Sequence, residues 1–65
     1  MIVLINNASF ELPPGASLAD AVRLVQAVPP FAAAVNLQFI PSGQHEKTAL
    51  HDNDKIEIIR PVTGG

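Results

Sequence analysis

The absence of cysteine is the feature that most limits how this chain can fold. A chain of 65 residues forms one domain, and small domains of this kind often rely on disulfides or a structural metal. The two histidines, His45 and His51, lie six positions apart without a third ligand at metal-like spacing, so we expect solvated surface histidines and no metal site. Side-chain packing alone must therefore hold the fold together.

Composition narrows the function classes. Hydrophobic residues make up 48% of the chain and only three residues are aromatic, so the core should consist mainly of Ile, Val, Leu and Ala. Four basic residues are scattered among six acids, which leaves no cationic stripe for a phosphate backbone. We expect no nucleic-acid partner. A pocket of about 300 Å³ or more would be hard to build in so small a domain, and we predict a protein that is not an enzyme.

The first five residues, Met1–Ile5, are all apolar. They lack a basic leader and are followed by Asn6-Asn7, so the run is too short for a signal peptide or a membrane span. We interpret it as a strand and expect no membrane partner and a cytoplasmic location.

The first strand is predicted to pair with a second. Asn6-Asn7-Ala8 has turn chemistry, and Ser9–Leu12 is a short second run, so the two runs indicate a hairpin. Pro13-Pro14-Gly15 then favours a type II turn with a positive φ at Gly15.

One main helix follows the hairpin. Ser17 stands three residues before Asp20 and just ahead of apolar residues at helical spacing, which is typical of a capping box. The helix is predicted from Leu18 to about Ala27, and Pro29-Pro30 should end it because a residue that precedes proline disfavours the helical conformation.

The second half of the chain predicts three more strands. Phe31–Val35 and Gln38–Ile40 are short apolar runs, residues 44–50 form a polar surface connection with room for a helical turn, and Asp52-Asn53-Asp54 is a tight turn. Lys55–Arg60 alternates as a half-buried strand. The predicted fold class is α+β, a mixed sheet of four to five strands with one main helix across it.

Proline at position 61 cannot donate to a strand ladder, so pairing should end there. We predict a domain over 1–61 and a flexible tail over 62–65, which is Val62-Thr63-Gly64-Gly65. A terminal Gly-Gly occurs by chance in only about 0.5% of chains at ordinary glycine usage, so it calls for an explanation. Two residues without Cβ let the backbone enter a narrow slot, and the terminal carboxylate can be activated by adenylation. A frayed or cut chain end is the plain alternative.

Several stretches of this sequence match a known pattern over the whole chain. They are Met1–Asn6, Ala34-Val35-Asn36 with Ile40-Pro41 downstream, Leu50–Ile56 and the terminal Thr63-Gly64-Gly65. Together with the length, they resemble the ThiS family, the sulfur carriers of thiazole formation in thiamine biosynthesis, which have the β-grasp, ubiquitin-like fold.

The resemblance implies a role for the chain end. Gly65 would be adenylated with ATP by an E1-like adenylyltransferase, converted to a thiocarboxylate with the help of a sulfur-donor enzyme, and used by thiazole synthase. Gly64, Thr63 and Val62 would enter the partner's site. The carrier would bind no cofactor itself, because the partner uses the ATP, and it would contain no catalytic residue.

Two other functions stay open. The related carrier of molybdopterin synthase typically runs longer and shows a phenylalanine and a double proline before its tail, where this chain has Ile59-Arg60-Pro61-Val62-Thr63. A ubiquitin-like modifier, or an interaction module that never forms a thiocarboxylate, is the third possibility.

A partner-binding surface is also predicted. The two-residue period of strands puts Ile2 and Leu4 on one face of the first strand, and Glu57 and Ile59 on one face of the last. One helix can cover only one side of the sheet, so the charged Glu57 marks the open side. We expect Leu4 and Ile59, with Ile2 nearby, to form an apolar patch close to the tail. Unrelated surface residues are the alternative.

Overall fold

Five short strands form one sheet with one helix on one of its faces in the computed structural model, which describes residues 1–60. The strands are antiparallel except where β1 lies parallel to β5, and their order across the sheet is β2-β1-β5-β3-β4. The mixed sheet with one main helix confirms the predicted α+β fold. In chain order the elements are β1 (Ile2–Ile5), β2 (Ala8–Glu11), α1 (Leu18–Leu24), β3 (Ala32–Val35), β4 (Gln38–Ile40), a 3-10 helix (Ser42–Lys47) and β5 (Lys55–Ile59).

Two hairpins flank the central strand β5, and both have two-residue turns. Asn6 and Asn7 have φ angles of 50° and 69°, while Asn36 and Leu37 have φ angles of 50° and 71°. Positive φ at both central residues is the mark of a type I′ turn, whose twist matches that of the paired strands. Asparagine tolerates this conformation better than most residues do, which explains three of the four positions.

The predicted type II turn is confirmed. Gly15 has φ of +86°, and the Ala16 N–H donates to the Pro13 carbonyl at 3.2 Å. This turn leads the chain from the sheet edge at β2 to the start of α1.

The capping box at the start of α1 is confirmed as well. The Asp20 N–H donates to Ser17 Oγ, and the Asp20 carboxylate accepts from the Ser17 N–H at 2.8 Å. This backbone hydrogen bond, followed by the Arg23 guanidinium, holds the pKa of the Asp20 carboxyl below its ordinary value. The N-terminus of α1 is therefore fixed by local chemistry.

The predicted end of the helix near Ala27 is wrong, because α1 stops at Leu24. Gln26 has φ of +56°, its N–H donates to the Arg23 carbonyl, and the Ala27 N–H donates to the Val22 carbonyl. This pair of hydrogen bonds is a Schellman motif, which satisfies the last carbonyls of the helix. Gln26, in the left-handed conformation, therefore ends the helix. It lies three residues before Pro29-Pro30.

The helix and the two strand faces that point toward it form the core. Its buried members are Val3, Ile5, Leu12, Ala16, Leu18, Ala21, Ala33, Leu50, Ile56 and Ile58. Alternate residues of β1 and β5 contribute to it, as the two-residue period predicts. No helix in the described part of the chain is long and apolar enough to cross a membrane.

Candidate functional site

The central strand β5 leads directly to the predicted site. It lies between β1 and β3, and its last residue, Ile59, is followed by the exposed Arg60, the last described residue. The predicted tail 62–65 lies outside the described residues. It includes the predicted modified residue Gly65 and the predicted contact residues Val62, Thr63 and Gly64. The described part of the site is the end of β5, from which the chain continues into residues 61–65.

The side chain of Asn6 holds the end of β5 from one side. Its Oδ1 accepts the Ile58 N–H at 2.9 Å, and its Nδ2 donates to the Ile58 carbonyl at 3.2 Å. The pairing of β1 with β5 ends at Ile5 and Ile56, where the chain turns into the first hairpin. The Asn6 amide therefore adds one rung to the ladder beyond the end of β1.

Asn36 does the same at the other end of β5. Its N–H donates to the Lys55 carbonyl at 2.7 Å, and its Oδ1 accepts the Lys55 N–H at 3.0 Å. Its Nδ2 donates to the Asp54 carboxylate at 3.0 Å. Each asparagine is the first residue of a type I′ turn, so the two hairpins secure opposite ends of the strand between them.

The predicted division of the sheet into a covered and an open face agrees with the structure. Val3, Ile5, Ile56 and Ile58 are buried, whereas on the other face Ile2 and Glu57 are exposed, Leu4 is half-buried and Ile59 is 58% exposed. The apolar residues of the predicted patch therefore lie on the side of the sheet that α1 leaves uncovered.

The register separates members of that patch, however. Leu4 pairs with Lys55, so Ile59 lies four residues further along β5, roughly 13 Å away at about 3.3 Å per residue. Ile2 lies two residues further in the opposite direction. Leu4, Ile59 and Ile2 therefore do not form one compact cluster.

A groove of about 280 Å³ runs between β1 and β5, and it is lined by Leu4, Asn6, Asn7, Lys55, Ile56 and Glu57.

Strand β3 brings other apolar residues to the open face beside Ile59. Ala32 pairs with Ile59, Ala34 pairs with Glu57, and Phe39 of β4 pairs with Ala34. Phe39 is 63% exposed. Sequence reasoning missed Phe39 because the alternation of a three-residue strand is a weak signal, and only the register shows which residues stand side by side.

The prediction that His45 is a solvated surface residue is wrong. Its side chain is buried, Nε2 lies 3.0 Å from the Ile40 carbonyl oxygen, and the ring stacks on Phe31 with centroids 5.8 Å apart. The 3-10 helix packs against α1 and carries the ring inward. His51 is exposed, as expected.

A second groove lies between α1 and the 3-10 helix. Its volume is about 360 Å³, and it is an open surface groove and not a pocket inside the core. Its lining includes His45, whose Nε2 already bonds a backbone carbonyl, and Arg23, which pairs with Asp20 at 3.0 Å. Over residues 1–60 no group of three or more potential metal ligands comes together.

Comparison with known proteins shows similarity both in sequence and in structure. The sequence model of the ThiS family matches residues 3–65. The crystal structure of a thiamine biosynthesis protein (ThiS) from Geobacter metallireducens superposes with a TM-score of 0.81 over 100% of both chains, at 13% sequence identity. At that identity the structural likeness concerns the fold. A search of the curated proteins found no match.

Proposed function

Since the chain belongs to the ThiS family, we propose that it is a sulfur carrier that donates sulfur for thiazole formation from a thiocarboxylate on Gly65. The observation that carries this proposal is the extent of the family match, which runs through residue 65 and so includes the glycine pair. The fold supports it, because the central strand of the sheet leads toward that end of the chain.

The chemistry takes place in two steps on the Gly65 carboxylate. A carboxylate oxygen attacks the α-phosphorus of ATP, pyrophosphate leaves, and an acyl adenylate forms. Sulfide delivered by a donor enzyme then attacks the acyl carbon, AMP leaves, and after loss of the proton a thiocarboxylate remains. An acyl adenylate is hydrolysed readily in water, so the reaction belongs in a partner that shields it from solvent.

In this scheme the chain carries the sulfur, and its partners are the enzymes that catalyse the two steps. An E1-like adenylyltransferase would bind ATP and activate Gly65, and thiazole synthase would accept the sulfur. Val62, Thr63 and Gly64 would pass through the partner's entry slot, where the missing Cβ of Gly64 gives the backbone room. The open face of the sheet, with Ile2, Leu4 and Ile59, would dock the domain.

Intact-mass spectrometry tests the proposal. The protein is incubated with ATP, the adenylyltransferase of the source organism and a sulfur donor. We expect a mass increase equal to the replacement of one oxygen by one sulfur, located at Gly65 by fragmentation. Deletion of Gly65 should abolish the increase.

A matched pair of glycine substitutions provides the control. Gly64→Ala should block entry to the slot, whereas Gly43→Ala should be neutral because a Cβ built at Gly43 meets no atom within 4 Å. Modification at an internal residue would contradict the proposal. Sulfur transfer to molybdopterin synthase in place of thiazole synthase, or isopeptide conjugates of higher mass in lysate, would favour one of the other functions.

A further inference from the structure

We propose that Asn6 is a positioning residue, which fixes the end of β5 and thereby the place from which Gly65 reaches the activating partner. The inference rests on the proposed function. It starts from an asymmetry between the two asparagines that bond β5: Asn36 acts at Lys55, the first residue of the strand, and Asn6 acts at Ile58, one residue before its end.

The backbone polar groups of Ile58 face β1. The Asn6 N–H donates to the Ile56 carbonyl at 2.9 Å, and polar groups two residues apart on a strand point to the same side. Beyond Ile5 the chain leaves β1, so no strand residue follows that could bond Ile58. The Asn6 amide supplies both the acceptor and the donor that a continued strand would have provided.

Two contacts therefore hold the end of β5, one on each side. On the far side Ile59 pairs with Ala32 of β3. On the near side Asn6 is the partner of Ile58. Removal of the Asn6 side chain leaves the end of the strand attached along β3 only.

The position of this end matters because the segment beyond it is short. Six residues follow Ile59, the last residue of β5, and they can span at most about 22 Å. If Ile58 and Ile59 came away from the sheet, the connection from the sheet to Gly65 would grow from six residues to eight. The effective concentration of Gly65 in the partner's site would then fall about 1.5-fold from the length of the connection alone. Loss of orientation would add to this effect.

Replacement of each asparagine by glycine isolates the effect of position. Glycine adopts positive φ without steric cost, so Asn6→Gly and Asn36→Gly keep both turns and remove only the side-chain hydrogen bonds. Both variants lose bonds to the same strand, and they differ in which end of β5 is released.

The measurement is ATP-dependent release of pyrophosphate in single turnover, with the adenylyltransferase in excess. For Asn6→Gly we expect the rate at saturating partner to fall by about 1.5-fold or more, with an unchanged half-saturating partner concentration. For Asn36→Gly we expect both values to match the wild type. Hydrogen exchange at the Ile58 amide should accelerate in Asn6→Gly and not in Asn36→Gly.

A purely structural role would give a different pattern. Equal rates in the two variants, or a change confined to the half-saturating concentration, would overturn the inference. If Asn6→Gly does not fold, Asn6→Asp serves in its place, because aspartate keeps the acceptor for the Ile58 N–H and should lose less rate. Failure of the wild type to release pyrophosphate at all would refute the proposed function, which is a distinct outcome.

Discussion

At the scale of single residues, His45 shows how a polar side chain can serve the core of a small domain. The Ile40 carbonyl can only accept, so Nε2 must carry the proton of that 3.0 Å hydrogen bond. His45→Ala removes this bond and the stack on Phe31. We expect the free energy of unfolding to fall by about 2 kcal/mol, measured by urea denaturation.

His51→Ala is the matched control, because the His51 side chain is 80% exposed. Its effect should stay within about 0.5 kcal/mol. Comparable small losses in the two variants would mean that the His45 ring contributes nothing to packing.

At the scale of elements, the hairpin turns differ in how well their residues suit the backbone. Leu37 has φ of +71° and is 88% exposed, so it bears the steric cost of the left-handed region and buries little surface in return. Leu37→Gly creates the Asn-Gly pair that type I′ turns prefer. We expect a gain of about 1 kcal/mol in the free energy of unfolding, seen as a higher urea midpoint at constant slope.

Asn7→Gly tests the reasoning at the equivalent position of the first hairpin. Asparagine already tolerates φ of +69°, so the gain should be smaller than at Leu37. A larger gain at position 7 than at 37 would show that the backbone conformation is not what limits the second turn.

At the scale of the whole molecule, the sheet has one face covered by α1 and one open face, which we propose as the docking surface. We expect the double substitution Leu4→Asp with Ile59→Asp to weaken binding to the adenylyltransferase by about tenfold or more, as loss of buried apolar contacts does. Binding is measured by titration calorimetry, and circular dichroism should show an intact fold.

The two single variants, with Val28→Asp as control, show which part of the face matters. Val28 is an exposed apolar residue in the connection between α1 and β3, and its substitution should leave binding unchanged. Because the register sets Leu4 and Ile59 apart, the larger loss should come from Ile59, next to Ala32 and the end of β5. Unchanged affinity in a folded double variant would refute this docking surface.

Local sequence determined much of this protein. The period of two in β1 and β5, the positive φ at Gly15 and the capping box of Ser17 with Asp20 could all be predicted, because each depends on residues only a few positions apart. The same reasoning led to the correct fold class and to the correct open face of the sheet.

The tertiary structure decided what depends on residues far apart in the chain. The distance between Leu4 and Ile59 follows from the β1–β5 register, in which residues about fifty positions apart pair. The burial of His45 follows from packing of the 3-10 helix on α1, and the role of Asn6 follows from a hydrogen bond to Ile58. Such contacts form only when distant segments meet, so they cannot be predicted from residue propensities and spacing along the chain.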